Sequence, residues 1–165
     1  MKTASTTSLQ RRHLLGAGVA LLAAAAGVRA QQAPAVLVEV WKDPNCGCCK
    51  EWVAHLQANG FKVKVNDTGN EAMRARLGVA QQFGSCHTAL VGGYAIEGHV
   101  PAREIQRLLK DKPPAIGLAV PGMPVGAPGM DGKIYGGRQD PYDVVLLGRG
   151  GGSSVYQRYP GNRKA

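Results

Sequence analysis

The sequence predicts an α/β fold, in which a small mixed sheet with flanking helices is followed by a Gly/Pro-rich loop and a C-terminal hairpin. Short β-rich runs alternate with amphipathic helical segments, the pattern of a sheet covered by helices. The chain has 165 residues, of which 44% are hydrophobic, enough for one domain with a buried core. That hydrophobic content excludes a disordered chain, and the 23 glycines show no triplet repeat of the collagen type.

Residues 1–30 have the composition of a signal peptide. They hold four basic and no acidic residues, with a 15-residue apolar run at residues 14–28. A membrane-spanning helix needs about 20 apolar residues, and Val28-Arg29-Ala30 fits a cleavage site. Arg11-Arg12 also resembles a twin-arginine export signal. We therefore expect residues 1–30 to be cleaved and residues 31–165 to form one exported domain in the periplasm.

The charge of the remaining chain is moderate. The full chain has 20 basic and 11 acidic residues and a net charge of +9, which falls to +5 when the four basic residues of the signal are removed. The remaining basic residues are scattered, so we expect a solvated surface and no nucleic-acid partner. No later segment reaches 18 apolar residues, so no stable membrane insertion is expected. The bacterial periplasm is oxidising, which permits disulfides.

The first half of the domain predicts two strand–helix units. Residues 36–41 form a β-rich apolar run, typical of a buried strand, and residues 50–59 have apolar positions spaced for one helical face. Residues 61–65 alternate apolar and polar side chains, as in a strand with one covered face. Residues 70–77 predict a short helix with Asn70 as its N-cap and a glycine just past its end.

The second half predicts a hairpin and a third helix. Residues 88–91 and 94–96 are β-rich and flank Gly92-Gly93, a strong signal for a two-residue turn. Residues 101–110 predict a helix that begins with proline. The resulting order, β-α-β-α-β-β-α, matches a thioredoxin-like layout.

The segment after residue 112 has a different character. Residues 113–137 are rich in glycine and proline and show little regular pattern, so we expect an irregular loop. An irregular stretch of this length in a small domain is more often functional than idle. Residues 142–147 and 154–159 flank a glycine-rich run and predict a final hairpin.

The four cysteines form the densest group of soft ligands in the chain. Cys46, Cys48 and Cys49 lie between the first strand and the first helix, where a helix N-terminus stabilises thiolates. Cys86, followed by His87, comes directly before the third strand. In a thioredoxin-like layout that loop faces the first helix N-terminus. We therefore expect the four sulfur atoms to converge within a small volume.

Three interpretations of the cysteines are open. Two stabilising disulfides would suit an exported protein, but three cysteines within four residues are a poor framework. The C-x-x-C spacing of Cys46 and Cys49 suits a thiol-disulfide oxidoreductase, although the spare thiols of Cys48 and Cys86 would compete, and Thr88 replaces the usual cis-proline. A thiolate metal site is favoured, because crowded thiolates suit bridged Cu(I) better than tetrahedral zinc or a dispersed iron–sulfur site.

Four further residues are candidate metal ligands: His87, His99, Met123 and Met130. The first adjoins Cys86, and the second follows a glycine and could reach the same site. The two methionines lie in polar, irregular surroundings of the Gly/Pro-rich loop, although a core position is the commoner role for methionine. His55, two helical turns past Cys48, is expected to be exposed.

Five stretches of the chain match the pattern of one protein family: residues 41–52, 84–89, 96–102, 117–124 with 128–130, and 140–144. On these stretches the sequence resembles the family catalogued as domain of unknown function 411, which includes CopG-type periplasmic copper-resistance proteins. The match covers nearly all of the chain after residue 30.

The resemblance implies a thioredoxin-like fold with a thiolate-bridged Cu(I) cluster on Cys46, Cys48, Cys49 and Cys86. It implies a role in copper resistance, with copper redox activity as a further step. Residues 31–165 would form a thioredoxin-like metal-binding domain. Its partners would be copper ions and a copper exporter or another copper-handling protein, as for a metallochaperone that hands copper to an exporter or an oxidase. The alternative function is a thiol-disulfide oxidoreductase acting on protein partners.

Overall fold

The computed structural model describes residues 35–162. The predicted signal peptide, residues 1–30, lies outside the described residues, and its cleavage stays a prediction. In chain order the elements are β1 (Leu37–Lys42), α1 (Gly47–Ala58), β2 (Lys62–Asn66), α2 (Glu71–Arg76), β3 (His87–Val91), β4 (Tyr94–Glu97), α3 (Ala102–Asp111), β5 (Ala115–Ala119), β6 (Tyr142–Gly148) and β7 (Ser153–Tyr159). Short 3-10 turns occupy Gln81–Phe83 and Lys133–Tyr135.

The strands form one seven-stranded mixed sheet in the order β2-β1-β3-β4-β5-β6-β7. β1 pairs in parallel with β2 and antiparallel with β3, and β3 and β4 form the hairpin predicted around Gly92-Gly93. β4 pairs in parallel with β5, and β6 and β7 extend the sheet as an antiparallel hairpin. The predicted mixed α/β class and C-terminal hairpin are confirmed, whereas the narrower thioredoxin-like assignment stays a prediction.

The core is formed by the inward faces of the sheet and of two helices. Trp52 and Leu56 of α1 are fully buried, as are Ile105 and Leu108 of α3. They pack in one apolar cluster with strand residues of β1, β3, β4 and β5. This is the helical face that the apolar spacing predicts. None of the helices within residues 35–162 is long and apolar enough to cross a membrane.

The prediction of an irregular loop over residues 113–137 is wrong at its start, where β5 lies at Ala115–Ala119. Alanine and glycine dominate this segment, so it carries little of the β-branched and aromatic signal of a strand. Gly117 pairs with Ala95 of β4, and a Cβ atom at Gly117 would lie 1.7 Å from the Ala95 carbonyl oxygen. The strand therefore forms because two backbones approach closely, a contact that no local pattern reports.

Helix boundaries also differ in ways that matter for the cysteines. α1 begins at Gly47 rather than at residue 50, so Cys48 and Cys49 lie in its first turn and Cys46 is its N-cap residue. Asn70 directly precedes α2, as predicted, but its side chain makes no capping hydrogen bond. Pro101 is the N-cap residue of α3 rather than its first helical residue.

The C-terminal hairpin is attached to α3 through a buried carboxylate. Glu104 accepts hydrogen bonds from Arg103 Nε at 3.1 Å and Tyr159 Oη at 2.9 Å, and it forms an ion pair with Arg107 Nη2 at 3.1 Å. The Tyr159 ring stacks on Tyr142 with centroids 4.5 Å apart. Since a buried carboxylate is costly without partners, the Tyr159 hydrogen bond fixes the hairpin to α3, while the two arginines of α3 complete the surroundings of the carboxylate.

Candidate metal centre

A tight turn leads the chain from β1 into α1 and sets the first three cysteines. The Asp43 carboxylate accepts a hydrogen bond from the Asn45 N–H at 2.8 Å, and the Asp43 carbonyl accepts one from the Cys46 N–H at 3.1 Å. Cys46 Sγ then accepts a hydrogen bond from the Cys49 N–H at 3.3 Å. A sulfur atom thus takes the N-cap place usually held by an oxygen, because the exposed N–H groups of a first turn need an acceptor.

Cys46 and Cys49 are joined by a disulfide, with their Cα atoms 5.4 Å apart. Cys48 and Cys86 are free thiols, so the described residues do not hold the two-disulfide framework. Cys49 is fully buried, whereas the other three cysteines are half-buried. The reactive side of the cluster therefore faces outward through Cys46, Cys48 and Cys86.

The four sulfur atoms lie within 4.8 Å of one another, which is the convergence that the sequence predicts. Cys48 Sγ lies between the others, 3.5 Å from Cys46 Sγ and 3.7 Å from Cys86 Sγ. Sulfur atoms at this separation can share metal ions. The α1 N-terminus supplies three of the four sulfur atoms, and the loop before β3 supplies the fourth.

A second group joins the first through Cys86. Its ligand atoms belong to Cys86, His87 and His99 and also lie within 4.8 Å of one another. Cys86 Sγ is 3.4 Å from His87 Nδ1 and 3.2 Å from His99 Nε2. Cys86 is therefore the residue common to a sulfur group and a sulfur–imidazole group.

Both histidines are buried and oriented by their neighbours. His99 Nδ1 donates to the Pro128 carbonyl oxygen at 2.8 Å, which leaves Nε2 with a free lone pair toward Cys86. The His87 ring packs against Trp52 with centroids 4.2 Å apart. Within residues 35–162, His87 Nε2 has no hydrogen-bond partner.

Burial governs the protonation of this centre. It raises the pKa of Cys86 to about 12, and the neighbouring Cys48 acts in the same direction. Burial also lowers the pKa of His99, and it lowers the pKa of His87 well below its ordinary value, with the charge of His99 as a second cause. At neutral pH the imidazoles are therefore neutral, the form that binds metals, while Cys86 holds its proton.

Met130, Met123 and His55 differ in burial and in the residues around them. Met130 is buried with Val125 and Ala127 in an apolar cluster against which Cys48 packs, so the expected polar surroundings are wrong for this residue. Met123 is 54% exposed and lines a surface cavity of about 360 Å³ together with Cys86. His55 is half-buried rather than exposed, because its Nε2 accepts the Ala102 N–H at the start of α3 at 3.1 Å.

Sequence reasoning missed a buried polar network behind Cys86. Glu97, which is fully buried, accepts hydrogen bonds from the Ser85 N–H at 2.7 Å, Thr88 Oγ1 at 2.6 Å and Arg74 Nη1 at 3.4 Å. Asn70 Nδ2 donates to Thr88 Oγ1 at 3.1 Å and to the Ser85 carbonyl at 3.2 Å. The one signal in the sequence is a glutamate at the end of an otherwise apolar strand.

Fold and site together define a class: an α/β protein with a cysteine-rich helix N-terminus and a Cys-His loop arranged as a candidate soft-metal centre. A family model described as protein of unknown function, DUF411, matches residues 83–130. Two solved structures of copper resistance protein CopG, Form 2 and Form 1, are each 49% identical to this chain with TM-scores of 0.71. The match to Form 2 covers 76% of this chain and 99% of the CopG chain, and the match to Form 1 covers 78% of this chain and 100% of the CopG chain.

The chain therefore belongs to the DUF411 family, together with copper resistance protein CopG, which confirms the resemblance found in the sequence. A comparison with the curated proteins gives no significant match.

Proposed function

We propose that this protein is an exported, periplasmic copper-resistance protein that holds Cu(I) in a thiolate cluster formed by Cys46, Cys48, Cys49 and Cys86. The observation that carries the proposal is the convergence of these four sulfur atoms within 4.8 Å. Thiolates are the ligands that select Cu(I), and closely spaced sulfurs can each bridge two ions. The 49% identity to copper resistance protein CopG supports copper as the cargo.

The neighbouring side chains would complete the copper coordination. His99 Nε2 and His87 Nδ1 lie within 3.4 Å of Cys86 Sγ and are neutral at pH 7. Met130, next to Cys48, and the exposed Met123, near Cys86, offer thioether sulfurs, a further soft ligand for Cu(I). We propose His87, His99, Met123 and Met130 as auxiliary ligands around the four thiolates. A copper exporter or another copper-handling protein would exchange copper with this site.

Copper redox activity follows from the Cys46–Cys49 pair. All four sulfurs can bind copper only after this disulfide has been reduced. In the reduced state the same pair can transfer one electron to each of two Cu(II) ions, which become Cu(I). The two thiols then form the disulfide and release two protons. Cys48, Cys86 and the two histidines would hold the Cu(I) so formed. Cys46 and Cys49 would join them only after an external dithiol had reduced the disulfide again.

The second candidate function is a thiol-disulfide oxidoreductase, favoured by the disulfide itself. Cys46 is the half-exposed first cysteine of a C-x-x-C pair at a helix N-terminus, and Cys49 is buried behind it. This arrangement suits attack on a partner's disulfide by a thiolate that the helix stabilises. The free thiols of Cys48 and Cys86 beside the pair favour the copper function instead.

Anaerobic reconstitution of the reduced protein with Cu(I), followed by elemental analysis, tests the proposal. The parent protein is expected to bind several copper ions per chain. Cys48→Ser should bind fewer, because Cys48 Sγ lies between Cys46 and Cys86, yet it should retain insulin-type disulfide reduction through the intact Cys46–Cys49 pair. Full copper binding by Cys48→Ser would contradict the bridged cluster, and retained insulin reduction in the same variant would then favour the oxidoreductase.

The apparent affinity for Cu(I) should rise with pH. Burial raises the pKa of Cys86 to about 12, so this thiol is protonated at neutral pH and the metal must displace its proton. We expect about a tenfold gain in affinity per pH unit for each proton released, between about pH 6 and pH 8. Competition with a Cu(I) chelator, corrected for the chelator's own protonation, measures this slope. An affinity that is independent of pH would show that the bound thiols are already ionised.

A further inference from the structure

Glu97 is a buried charged residue that takes no direct part in the proposed copper site. It ends β4 and is fully buried, with three donors around its carboxylate: Ser85 N, Thr88 Oγ1 and Arg74 Nη1. A carboxylate loses its hydration when it is buried, and paired charges of this kind are often replaceable by apolar residues without loss of stability. The contact that an apolar side chain could not make is the hydrogen bond to Ser85.

Ser85 is held through every one of its polar groups. Its N–H donates to Glu97 Oε1 at 2.7 Å, and its carbonyl oxygen accepts from Asn70 Nδ2 at 3.2 Å and Arg74 Nη1 at 3.4 Å. Its hydroxyl donates to the Gly122 carbonyl at 2.5 Å. Since Ser85 immediately precedes Cys86, these contacts determine where the chain enters the metal centre.

The segment that carries Glu97 also contacts Cys86 itself. His99 Nε2 lies 3.2 Å from Cys86 Sγ, so residues 97 and 99 contact two consecutive residues of the facing loop. Gly98 between them has a φ of 69°, and a Cβ atom there would lie 2.6 Å from the Ser85 side chain and 2.5 Å from the Val120 carbonyl. The Gly98 backbone therefore closely approaches both the Ser85 side chain and the backbone at Val120, directly after β5.

We propose that Glu97 is a positioning residue for Cys86. By accepting the Ser85 N–H, it places Cys86 Sγ where this atom meets both Cys48 Sγ, at 3.7 Å, and His99 Nε2, at 3.2 Å. The inference rests on the proposed function for its meaning in copper binding, but the position of the thiol can be measured without copper. The effect depends on the reach of the acceptor oxygen rather than on its charge.

Two variants of Glu97 separate the effect of the side chain's length from the effect of its charge. Glu97→Asp keeps the charge beside Arg74 but withdraws the carboxylate by about one C–C bond, roughly 1.5 Å, from the Ser85 N–H. Glu97→Gln keeps an acceptor oxygen at the original distance and removes the charge. Glu104→Asp is the matched control, because Glu104 is also a buried carboxylate with three polar partners, one of which lies on the C-terminal hairpin.

The measurement is the alkylation rate of Cys86 by iodoacetamide in the metal-free protein with the Cys46–Cys49 disulfide intact, resolved from Cys48 by peptide mass spectrometry. Glu97→Asp should speed the alkylation of Cys86 by about tenfold, because the loop opens more often once the hydrogen bond from the Ser85 N–H is lost. Glu97→Gln and Glu104→Asp should stay within about twofold of the parent. After loading with Cu(I), only Glu97→Asp should show an altered thiolate-to-copper absorption.

An unchanged alkylation rate in Glu97→Asp would overturn the proposal, because Glu97 would then have no effect on Cys86. An equal increase in Glu104→Asp would also overturn it, because the cause would then be a general loss of stability in the protein. An equal increase in Glu97→Gln would also overturn it, because charge would then be the cause. Should Glu97→Asp not fold, Glu97→Met removes the acceptor of the Ser85 N–H while filling similar space, and an unchanged Cys86 rate there would contradict the inference. If the parent binds no Cu(I), the proposed function fails while the alkylation result still decides the role of Glu97.

Discussion

Replacing Cys86 with serine should remove more bound copper than any other single cysteine replacement. Cys86 Sγ belongs both to the group of four sulfurs and to the group with His87 and His99, whereas Cys48 belongs only to the first. Loss of an outer-shell partner already costs metal sites about 10- to 100-fold in affinity, so loss of this shared ligand should cost at least about 100-fold. Chelator competition and elemental analysis of the reconstituted protein measure the affinity and the copper per chain.

Cys48→Ser is the matched control for this experiment, since it removes one half-buried free thiol from the same cluster. It should lose part of the copper and keep the part that Cys86 and the two histidines hold. Circular dichroism of both variants verifies that the sheet remains intact. Copper binding that survives Cys86→Ser but is lost in Cys48→Ser would place the centre on the α1 cysteines alone.

The largest effect on folding is expected for Gly117→Ala in β5. The added Cβ atom would lie 1.7 Å from the Ala95 carbonyl oxygen, so either the β4–β5 pairing opens or both strands shift. Overpacking that displaces backbone should cost about 3 kcal/mol or more of the free energy of unfolding. Urea denaturation followed by circular dichroism gives this value.

Gly132→Ala provides the control for the loss of glycine itself, because a Cβ atom at Gly132 meets no atom within 4 Å. A glycine-to-alanine change without contacts alters stability by no more than about 1 kcal/mol through the unfolded chain. Similar stabilities for Gly117→Ala and Gly132→Ala would mean that β5 is free to move away from β4. The sheet would then be less rigid beside Glu97 than the close approach indicates.

The cysteine positions on which the proposed copper function depends could be predicted from local sequence patterns. Cys46, Cys48 and Cys49 sit at a strand–helix junction, and the β-rich apolar run before them and the helical spacing after them are local signals. The convergence with Cys86 required only the order of the elements, since the loop before β3 faces the α1 N-terminus once β1 and β3 are neighbours. Family resemblance then supplied copper as the expected cargo.

Features that depend on distant backbone and on burial were not predictable in this way. β5 is composed mainly of alanine and glycine, and it forms because Gly117 admits the backbone of β4. His55 was expected to be exposed, but its imidazole accepts the Ala102 N–H from α3, an element 47 residues away in sequence. Met130 lies in a loop of polar composition, yet it is buried beside Cys48.

By itself, the sequence determined the α/β class, the hairpins and the set of residues able to bind a soft metal, because these follow from periodicity, turn chemistry and side-chain type. Only the tertiary structure decided that Cys86 joins the sulfurs to the imidazoles and that Glu97 holds the residue before it. The physical reason is the distance along the chain over which each kind of interaction acts. Periodicity acts over a few residues, whereas the hydrogen bonds and close contacts that place Cys86 join segments that meet only after the sheet has formed.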